Sequence, residues 1–287
     1  MPDRRRTRRF VILTLASLMA AGGTAPAANA PARVVGGGGP AGVSARTVRL
    51  FATSIAGDPR GGFYVGDPTA GRVFRVDEIG ILNPIAGTGG FGTTTGLNGE
   101  DIPASDAVLE NLEGIAVGPR GDLYILENTY VFYFDQTWRT IRRVDQNDGI
   151  ISTLVSDFGY GFGPENCRQT TYYGGRFNAT VGPDDRLYIA DTECHRVYRD
   201  GVLAAGNGED GYSGDGGDAR SAALSRPSGI VVDSAGNVYV ADSGNRRIRR
   251  IDAASGIITT VAGNGLAGQS GDNGPATQAS LSVAGVV

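Results

Sequence analysis

Short runs of apolar residues alternate with turn-forming residues along most of the chain. In four places an apolar run leads into a turn rich in Gly, Pro, Asp or Asn, and then into a second apolar run that contains a tyrosine and ends at a carboxylate. Runs of about five residues separated by such turns favour antiparallel hairpins. The pattern therefore predicts an all-β protein in which Tyr64, Tyr124, Tyr188 and Tyr239 lie at equivalent places on strands.

The four tyrosine segments are copies of one repeat, separated by 60, 64 and 51 residues. Within a repeat a third strand follows, as at residues 72–77 and 247–252, and then a fourth, as at 150–155 and 257–262. Four antiparallel strands per repeat make a propeller blade. We therefore expect about four full blades and the first strand of a fifth, in an open or incomplete arc over residues 43–287, with strands A to D running from the centre outward.

The clearest copy of the repeat resembles the NHL repeat family. It comprises Pro-Ser-Gly-Ile-Val-Val-Asp at 227–233 and Gly-Asn-Val-Tyr-Val-Ala-Asp-Ser-Gly-Asn-Arg-Arg-Ile at 236–248, and the resemblance extends over residues 51–287. It implies a β-propeller, commonly of six blades in that family. It implies no single function, because the family includes binding modules and a few enzymes.

The end of the sequence and one insertion depart from a regular repeat. Residues 281–287 look like the first strand of a fifth blade, so one hypothesis is a fragment of a larger repeat protein, and its unpaired edges predict self-association through strands. The aromatic residues at 130–134 and Trp138 lengthen the connection between the second and third strands of blade 2. They are interpreted as packing residues or, alternatively, as a ligand wall.

Residues 1–30 have the features of an export signal. Five arginines within 4–9 precede the apolar run 10–21, and Ala28-Asn29-Ala30 supplies a cleavage pattern. The apolar run is shorter than the about 20 residues that a membrane span needs. We expect a signal peptide at 1–30, a Gly/Pro/Ala-rich linker at 31–42, and a secreted, periplasmic or cell-surface protein with no membrane span after cleavage. An uncleaved anchor is the alternative.

The charge of the mature chain argues against nucleic acid as a partner. Residues 1–30 contain five of the 26 basic and one of the 30 acidic residues, which leaves 21 basic and 29 acidic residues and a net charge of −8. Binding to a phosphate backbone needs clustered positive charge.

Carboxylates at the ends of the second strands are the main candidate site residues. Strands B and D of a blade run in the same direction, so the B-to-C turns and the D-to-A loops emerge on one face. The gapless loop copies 206–219 and 263–276 add two further acids there. The ligand-face candidates are Asp67, Glu127, Asp191, Asp242, Asp215 and Asp272.

Two interpretations of the strand-end carboxylates stay open. In the first, each binds its own turn and pairs with the arginine five positions later, namely Arg72, Arg196 or Arg247. In the second, a ring of carboxylates binds a hard cation such as calcium. Repetition in every blade favours the structural interpretation, and the loops lack the spacing of an EF-hand. No cofactor is expected, with calcium as a minority alternative.

The sequence offers little for catalysis. His195 is the only histidine, so neither a Ser/His/Asp triad nor the several metal-binding histidines of NHL-like amidating lyases can be identified. The remaining enzymatic alternative is a metal-dependent lactonase- or lyase-like propeller with Glu127, Asn128, Asp191 and Asp242 as candidate ligands. The favoured function is an exported, non-enzymatic module that binds a protein, peptide or glycan, since loops on a rigid scaffold carry recognition.

The chain has two cysteines, Cys167 and Cys194. In an exported protein an even number of cysteines favours a disulfide. Both residues are placed on the B-to-C face by the strand directions. The sequence therefore predicts a Cys167–Cys194 disulfide, with two separate thiols, or a metal pair that includes His195, as the alternatives.

Overall fold

The computed structural model describes residues 42–90, 99–131, 136–156 and 177–282. In these residues four antiparallel sheets follow one another along the chain, and each contains four consecutive strands, so the expected all-β propeller of four-stranded blades is confirmed; two of the sheets have a short fifth strand at their edge. The predicted signal peptide and nearly all of the predicted linker lie outside the described residues. Residues 283–287, most of the predicted fifth-blade strand, also lie outside them.

The strands are short, as the spacing of turn residues predicts. Their bounds are β1 (Val43–Ser44), β2 (Ser54–Gly57), β3 (Phe63–Asp67), β4 (Arg72–Val76), β5 (Ile81–Ala86), β6 (Ile102–Pro103), β7 (Leu112–Val117), β8 (Leu123–Val131), β9 (Gln136–Val144), β10 (Ile150–Ser156), β11 (Phe177–Val181), β12 (Leu187–Asp191), β13 (Arg196–Arg199), β14 (Val202–Ala205), β15 (Pro227–Val232), β16 (Val238–Asp242), β17 (Arg247–Ile251) and β18 (Ile258–Ala262). Short 3-10 turns cover Ala45–Thr47, Ala104–Asp106, Ala219–Ser221, Ser243–Asn245 and Ala276–Gln278. The described residues contain no helix long and apolar enough to cross a membrane.

The first strand of each blade lies at the centre of the arrangement. β2 packs beside β7, β7 beside β11, and β11 beside β15. The four tyrosines occupy one register on the second strands, opposite Ala56, Ala116, Thr180 and Val231 of the first strands. Both features confirm the predicted order of strands from centre to edge.

The arc is open on the side of blade 1. Ile55 of β2 is 51% exposed, whereas Ile115 and Ile230, at the same register of β7 and β15, are buried against the blade before them. Among the described residues, β15 makes no contact with β2 comparable to those between neighbouring inner strands. Ile55 is more exposed than Ile115 and Ile230 because, within the described residues, no blade packs against it.

Three connecting segments, those ahead of blades 1, 2 and 4, fasten the blade that follows them. β1 pairs with β5 and β6 pairs with β10, so a short strand that precedes a blade adds to its outermost strand. Asp218 makes the corresponding bridge to Ile257 beside β18. The chain then passes through a 3-10 turn and reaches the inner strand. The loops on the B-to-C face thus wrap over the edge of the next blade.

The core fills the spaces between neighbouring blades. Val73 of blade 1 packs in one cluster with Ile125 of blade 2, and Val197 of blade 3 packs in another with Val240 of blade 4. Fully burying such a side chain contributes roughly 1.5–3 kcal/mol. Apolar contacts between successive blades therefore hold the repeats together.

The aromatic insertion in blade 2 extends two strands instead of lengthening a loop. β8 and β9 are each nine residues long, and their pairing continues from Leu123 opposite Val144 to Val131 opposite Gln136. Aromatic and β-branched residues favour this extended backbone. The expectation that Glu127 ends its strand is therefore wrong, since it lies inside β8. Residues 132–135 lie outside the described residues.

Candidate functional site

The second-strand carboxylates have almost no exposed surface. Asp67 and Asp242 are 0% exposed, Asp191 is 1% exposed and Glu127 is 2% exposed. Side chains this deeply buried must satisfy their charge or hydrogen bonds inside the protein. Their internal partners thus determine what they do.

Three of these carboxylates bind the segment of chain that enters their own blade. The backbone N–H of Phe51 donates to Asp67 at 2.9 Å, that of Glu110 donates to Glu127 at 2.7 Å, and that of Ser225 donates to Asp242 at 2.7 Å. Each donor lies 16 or 17 residues before its acceptor. The carboxylate therefore fixes the end of the incoming loop to the second strand, a contact that sequence reasoning did not find.

The expected contacts with the following turn are also present. Asp67 accepts hydrogen bonds from the backbone of Thr69 and Ala70, both at 3.0 Å, and Asp191 accepts one from the backbone of Cys194 at 3.1 Å. The Nδ2 group of Asn245 donates to Asp242 at 2.8 Å. These hydrogen bonds agree with the interpretation in which each carboxylate binds its own turn.

The expected pairing with the arginine five positions later is wrong. The guanidinium groups of Arg72, Arg196 and Arg247 instead donate to loop carbonyls, those of Thr88, Asn207 and Asn264. In the parts of the chain that the structure describes, no ion pair joins these arginines to the carboxylates before them. Each arginine lies opposite its carboxylate in the strand register, and its long side chain reaches past it to the loop.

Other arginines neutralise the buried carboxylates. Arg142 Nη1 lies 3.7 Å from Glu127 and Arg249 Nη1 lies 3.3 Å from Asp242. Arg139 of blade 2 reaches across to Asp191 of blade 3, with 2.9 Å between Nη1 and Oδ2. That last pair links two blades by charge.

Arg142 and Arg249 are the centres of two equivalent buried networks, which we call the arginine hubs. They are 1% and 0% exposed and lie at one position of the third strand. The other two blades have Phe74 and Tyr198 at that position. In each hub the second guanidinium nitrogen donates to a carbonyl of the incoming loop, that of Gly99 or Ser213.

An acidic residue of the incoming loop completes each hub. Asp215 Oδ1 accepts a hydrogen bond from Arg249 at 2.9 Å, and Glu100 lies 3.7 Å from Arg142. Glu100 also binds Thr153 of β10, and Tyr212 stacks over Arg247 and Arg249, with 3.9 and 4.9 Å between each guanidinium carbon and the ring centroid. The predicted ligand-face residue Asp215 is thus a loop anchor, whereas Asp272 of the last loop is exposed.

The electrostatics differ between the hubs. Burial, opposed by Arg142 and by the hydrogen bond from Glu110, raises the pKa of Glu127 to about 7. Burial also raises the pKa of Asp242. Although burial acts in the opposite direction, hydrogen bonds from Thr260, Tyr212 and Arg249 keep the pKa of Asp215 below its ordinary value. Arg249 therefore contacts two carboxylates whose pKa values are shifted in opposite directions, Asp215 on its loop side and Asp242 on the second strand.

The candidate metal ligands are not brought together. Within the described residues, no three His, Cys, Asp or Glu side chains are placed so that they could share a metal ion. Asn128 is 6% exposed and its Oδ1 accepts no hydrogen bond. The Nδ1 atom of His195 accepts a hydrogen bond from the backbone of Arg226 at 3.0 Å, which gives this histidine a structural contact. The calcium alternative stays a prediction.

Cys194 is 3% exposed, and its proposed partner Cys167 lies outside the described residues. The Cys167–Cys194 disulfide therefore stays a prediction. Counting thiols in the denatured, unreduced protein tests it, because two free thiols per chain would exclude the bond.

A cavity of about 360 Å³ lies where the inner strands of the four blades end. Each blade contributes the same three positions, the residues at the end of the first strand and the start of the A-to-B turn. They are Gly57, Asp58, Pro59, Val117, Gly118, Pro119, Val181, Gly182, Pro183, Val232, Asp233 and Ser234. The cavity thus opens on the face of the A-to-B turns. The sequence analysis placed the ligand on the opposite face, that of the B-to-C turns.

The rim of this axial cavity is held by contacts between blades. Arg60 of the first A-to-B turn donates to Gln146 of blade 2 at 2.9 Å, and Arg120 of the second turn pairs with Asp185 of the third. Asp58 is buried at the wall; hydrogen bonds from Arg60 and Arg75 outweigh the effect of burial and keep its pKa below the ordinary range. The turns around the cavity are therefore fixed in place before any ligand arrives.

Comparisons with known proteins agree with the repeat type. Residues 204–286 match the family model of the teneurin NHL domain. Mouse Teneurin-1 is 30% identical over 214 residues, which covers 64% of this chain and 7% of Teneurin-1, and human Teneurin-1 gives the same values. The chain thus matches only a small part of the length of these relatives.

Solved structures with a similar arrangement have low sequence identity. A protein of unknown function from Bacteroides thetaiotaomicron is 14% identical with a TM-score of 0.42, and the match covers 86% of this chain and 67% of that one. Virginiamycin B lyase from Staphylococcus aureus is 17% identical with a TM-score of 0.41, covering 73% of this chain and 54% of the lyase.

Proposed function

Since this chain is built of NHL-type repeats, we propose that it is a binding module whose axial cavity receives an apolar side chain of a protein or peptide partner. The observation that carries the proposal is the convergence of four equivalent turns on one cavity. Recognition sites are typically concave, mostly apolar and preformed, with volumes of about 300–1,000 Å³. The axial cavity is open to solvent, and its volume of about 360 Å³ falls within this range.

The lining favours a peptide over a glycan. Prolines 59, 119 and 183 and valines 117, 181 and 232 supply rigid apolar walls, and none of the residues that line the cavity is aromatic. The prolines have no backbone N–H group, and the middle residue of each turn segment uses its N–H within its own turn, as in the bond from Gly118 to the carbonyl of Asp122 at 2.9 Å. A wall of this kind suits a proline or aliphatic side chain, because the carboxylates of Asp58 and Asp233 in the lining already accept hydrogen bonds from the backbone of their own turns.

The opposite face is less suited to a ligand. The four second-strand carboxylates that were expected to form a site there are buried and bind the protein's own backbone, as Asp67 binds Phe51. We therefore place recognition on the face of the A-to-B turns. Export remains part of the proposal and rests on the features of residues 1–30. The metal-dependent alternative has no supporting observation in the described residues.

Selection from a displayed peptide library on the purified chain tests the proposal. Ser234 is exposed on the cavity wall, so Ser234→Trp fills the cavity without touching the core. We expect peptides selected on the parent chain to share a proline or aliphatic residue and to bind S234W at least about tenfold more weakly, a loss of roughly 1.4 kcal/mol.

A matched control distinguishes the two faces. Glu209 is exposed on the loop that leaves blade 3 on the opposite face. Glu209→Trp adds the same bulk there, and we expect it to leave peptide binding unchanged. Peptides that lose affinity to E209W and not to S234W would move the site to the opposite face and contradict the proposal.

A further inference from the structure

The four A-to-B turns that line the axial cavity share one backbone conformation. In each turn the N–H of the fourth residue donates to the carbonyl of the first. From blade 1 to blade 4 these bonds run from Gly61 to Asp58, from Gly121 to Gly118, from Asp185 to Gly182 and from Gly236 to Asp233, at 2.9–3.0 Å. The turns can therefore be compared position by position.

The third position of the turn changes its charge around the cavity. It is Arg60 in blade 1, Arg120 in blade 2, Asp184 in blade 3 and Ala235 in blade 4. The three charged side chains are 46%, 69% and 44% exposed, in the same order. Two neighbouring turns thus present positive charge at the cavity rim, and the next turn presents negative charge.

The two rim arginines differ in how far their own turns occupy them. The carboxylate of Asp58 accepts hydrogen bonds from the backbone N–H of Arg60 at 2.9 Å and from its Nε at 3.0 Å. Blade 2 has Gly118 at the position of Asp58, so its turn supplies no carboxylate to Arg120. Among the described residues, the backbone N–H of Arg120 has no acceptor, and its guanidinium group binds Asp185 of the next blade through Nη2. Arg120 therefore keeps more donors for a ligand than Arg60 does.

Asp184 is also only loosely held. Its Oδ1 accepts a hydrogen bond from the backbone of Arg186 at 3.3 Å, and its Oδ2 lies 3.4 Å from Nε of the same arginine. Exposed pairs of this kind contribute about 0–1 kcal/mol, so a cation of a ligand can take the place of Arg186 at low cost. Arg120 and Asp184 directly follow Pro119 and Pro183, which line the cavity. Both charges therefore lie next to the apolar wall.

We propose that the axial cavity binds its peptide in one direction, set by an acidic residue of the peptide that meets Arg120 and a basic residue that meets Asp184. This inference rests on the proposed function and adds the charge pattern of the partner. In the reverse direction like charges would meet at both turns, which disfavours that orientation. The partner is thus a peptide with one apolar residue and, close to it, an acid and a base in a fixed order.

Peptides selected from the displayed library on the parent chain test the order of charges. Two labelled synthetic peptides are compared, the selected consensus and a counterpart in which its acid and its base are exchanged. We expect the parent chain to bind the consensus at least about threefold more tightly in fluorescence anisotropy titrations, the size of effect that exposed charge pairs give.

Variants of the two rim residues assign the preference. Arg120→Asp combined with Asp184→Arg keeps the net charge and should reverse the preference between the two peptides. Arg120→Gln and Asp184→Asn, which each remove one charge without adding another, should each reduce it by about half. These milder changes keep the test decisive if the double exchange disturbs the turns.

The matched control exchanges charges on the opposite face. Glu209 and Arg226 are exposed there, the latter just before β15 begins. Glu209→Arg combined with Arg226→Glu should leave the preference unchanged.

Two results would overturn the inference while the proposed function stands. They are selected peptides without a common order of charges, and equal binding of both peptides, in each case with affinity still lost to S234W. Peptides that bind S234W as tightly as the parent chain would contradict the proposed function itself, and this inference with it.

Discussion

The hubs of blades 2 and 4 have the same architecture but different charge balance. Arg249 lies 3.3 Å from Asp242 and 2.9 Å from Asp215, and Asn245 also donates to Asp242. Arg142 lies 3.7 Å from both Glu127 and Glu100. The longer glutamate side chains therefore hold their arginine less closely than the aspartates do.

This difference indicates how each hub responds to the loss of its arginine. Burial raises the pKa of Glu127 to about 7, so near neutral pH the carboxyl exists in both charged and protonated forms. Losing the arginine then leaves a group that can become neutral. Asp242 also has a raised pKa, but it accepts three hydrogen bonds that stabilise its charged form, and one of them comes from Arg249. The stability of blade 4 therefore depends more on the ion pair between Arg249 and Asp242.

The largest effect is expected from Arg249→Met. The change leaves Asp242 buried without its charge partner and frees Asp215 and the carbonyl of Ser213. Breaking a buried pair in this way costs about 3–5 kcal/mol. Urea-induced unfolding followed by circular dichroism measures the loss.

Arg250→Met is the matched control, because Arg250 is the next residue of β17 and binds Asp252 near the surface at 2.8 Å. Exposed pairs contribute about 0–1 kcal/mol. Equal losses in R249M and R250M would show that the hub does not stabilise the blade.

The second effect is a dependence of stability on pH that comes from Glu127. Its pKa is 4.5 as a free side chain and about 7 in the fold, so the folded protein binds the proton more tightly. The stabilisation is fully present below pH about 4.5 and is lost as pH rises through about 7, a change of about 3 kcal/mol. We expect Glu127→Gln to remove most of this decline in unfolding experiments between pH 4.5 and 8.

Asp242→Asn supplies a comparison. Burial raises the pKa of Asp242, so this group contributes a decline of the same sign that begins above its ordinary value of 3.8. The carboxyl of Asp215, whose pKa is lowered, acts below about pH 4 and outside this window. A wild-type stability that rises from pH 4.5 to 7 would contradict the assignment.

Arg142→Met should cost less than Arg249→Met at pH 6, about 1–3 kcal/mol, because Glu127 is then mostly protonated and the main loss is that of hydrogen bonds to the carbonyls of Gly99 and Val108. The cost should grow as the pH rises above 7. A pH-independent loss equal to that of R249M would remove the distinction between the hubs. Arg250→Met is again the control, because Arg143, the next residue of the same strand, itself pairs with the buried Asp122.

The sequence predicted the blades because every repeat carries its own strands and turns. The register of Tyr64 and its counterparts depends on local alternation, which a single chain displays directly. The predicted pairing of each carboxylate with the arginine five positions later was wrong because local spacing gives only the register. It places Arg72 opposite Asp67 but does not show that the arginine side chain extends to the carbonyl of Thr88.

The sequence analysis did not predict the arginine hubs, because they depend on contacts between segments that are distant along the chain. Arg142 and Arg249 stand beside the more exposed Arg143 and Arg250, and composition alone cannot tell which of two adjacent arginines is buried. The available signal was alternation: Arg249 shares its strand face with the buried Ile251. The axial cavity was also missed, because it requires turns from four blades that are about 50–60 residues apart.

The smallest effect is expected from Tyr212→Gln, which gives the first loop the residue that the last loop has at Gln269. The ring of Tyr212 stacks on Arg247 and Arg249, and its hydroxyl group donates to Asp215 at 2.8 Å. A partly exposed cation–π contact contributes about 0.5–1 kcal/mol and a hydrogen bond to a charged group somewhat more, so we expect a loss of about 1–2 kcal/mol. Tyr212→Phe keeps the ring and should recover roughly half of the loss in the same urea titration. If Y212F is as unstable as Y212Q, the hydroxyl bond to Asp215 carries the whole contribution, and stacking on the arginines does not fasten this loop.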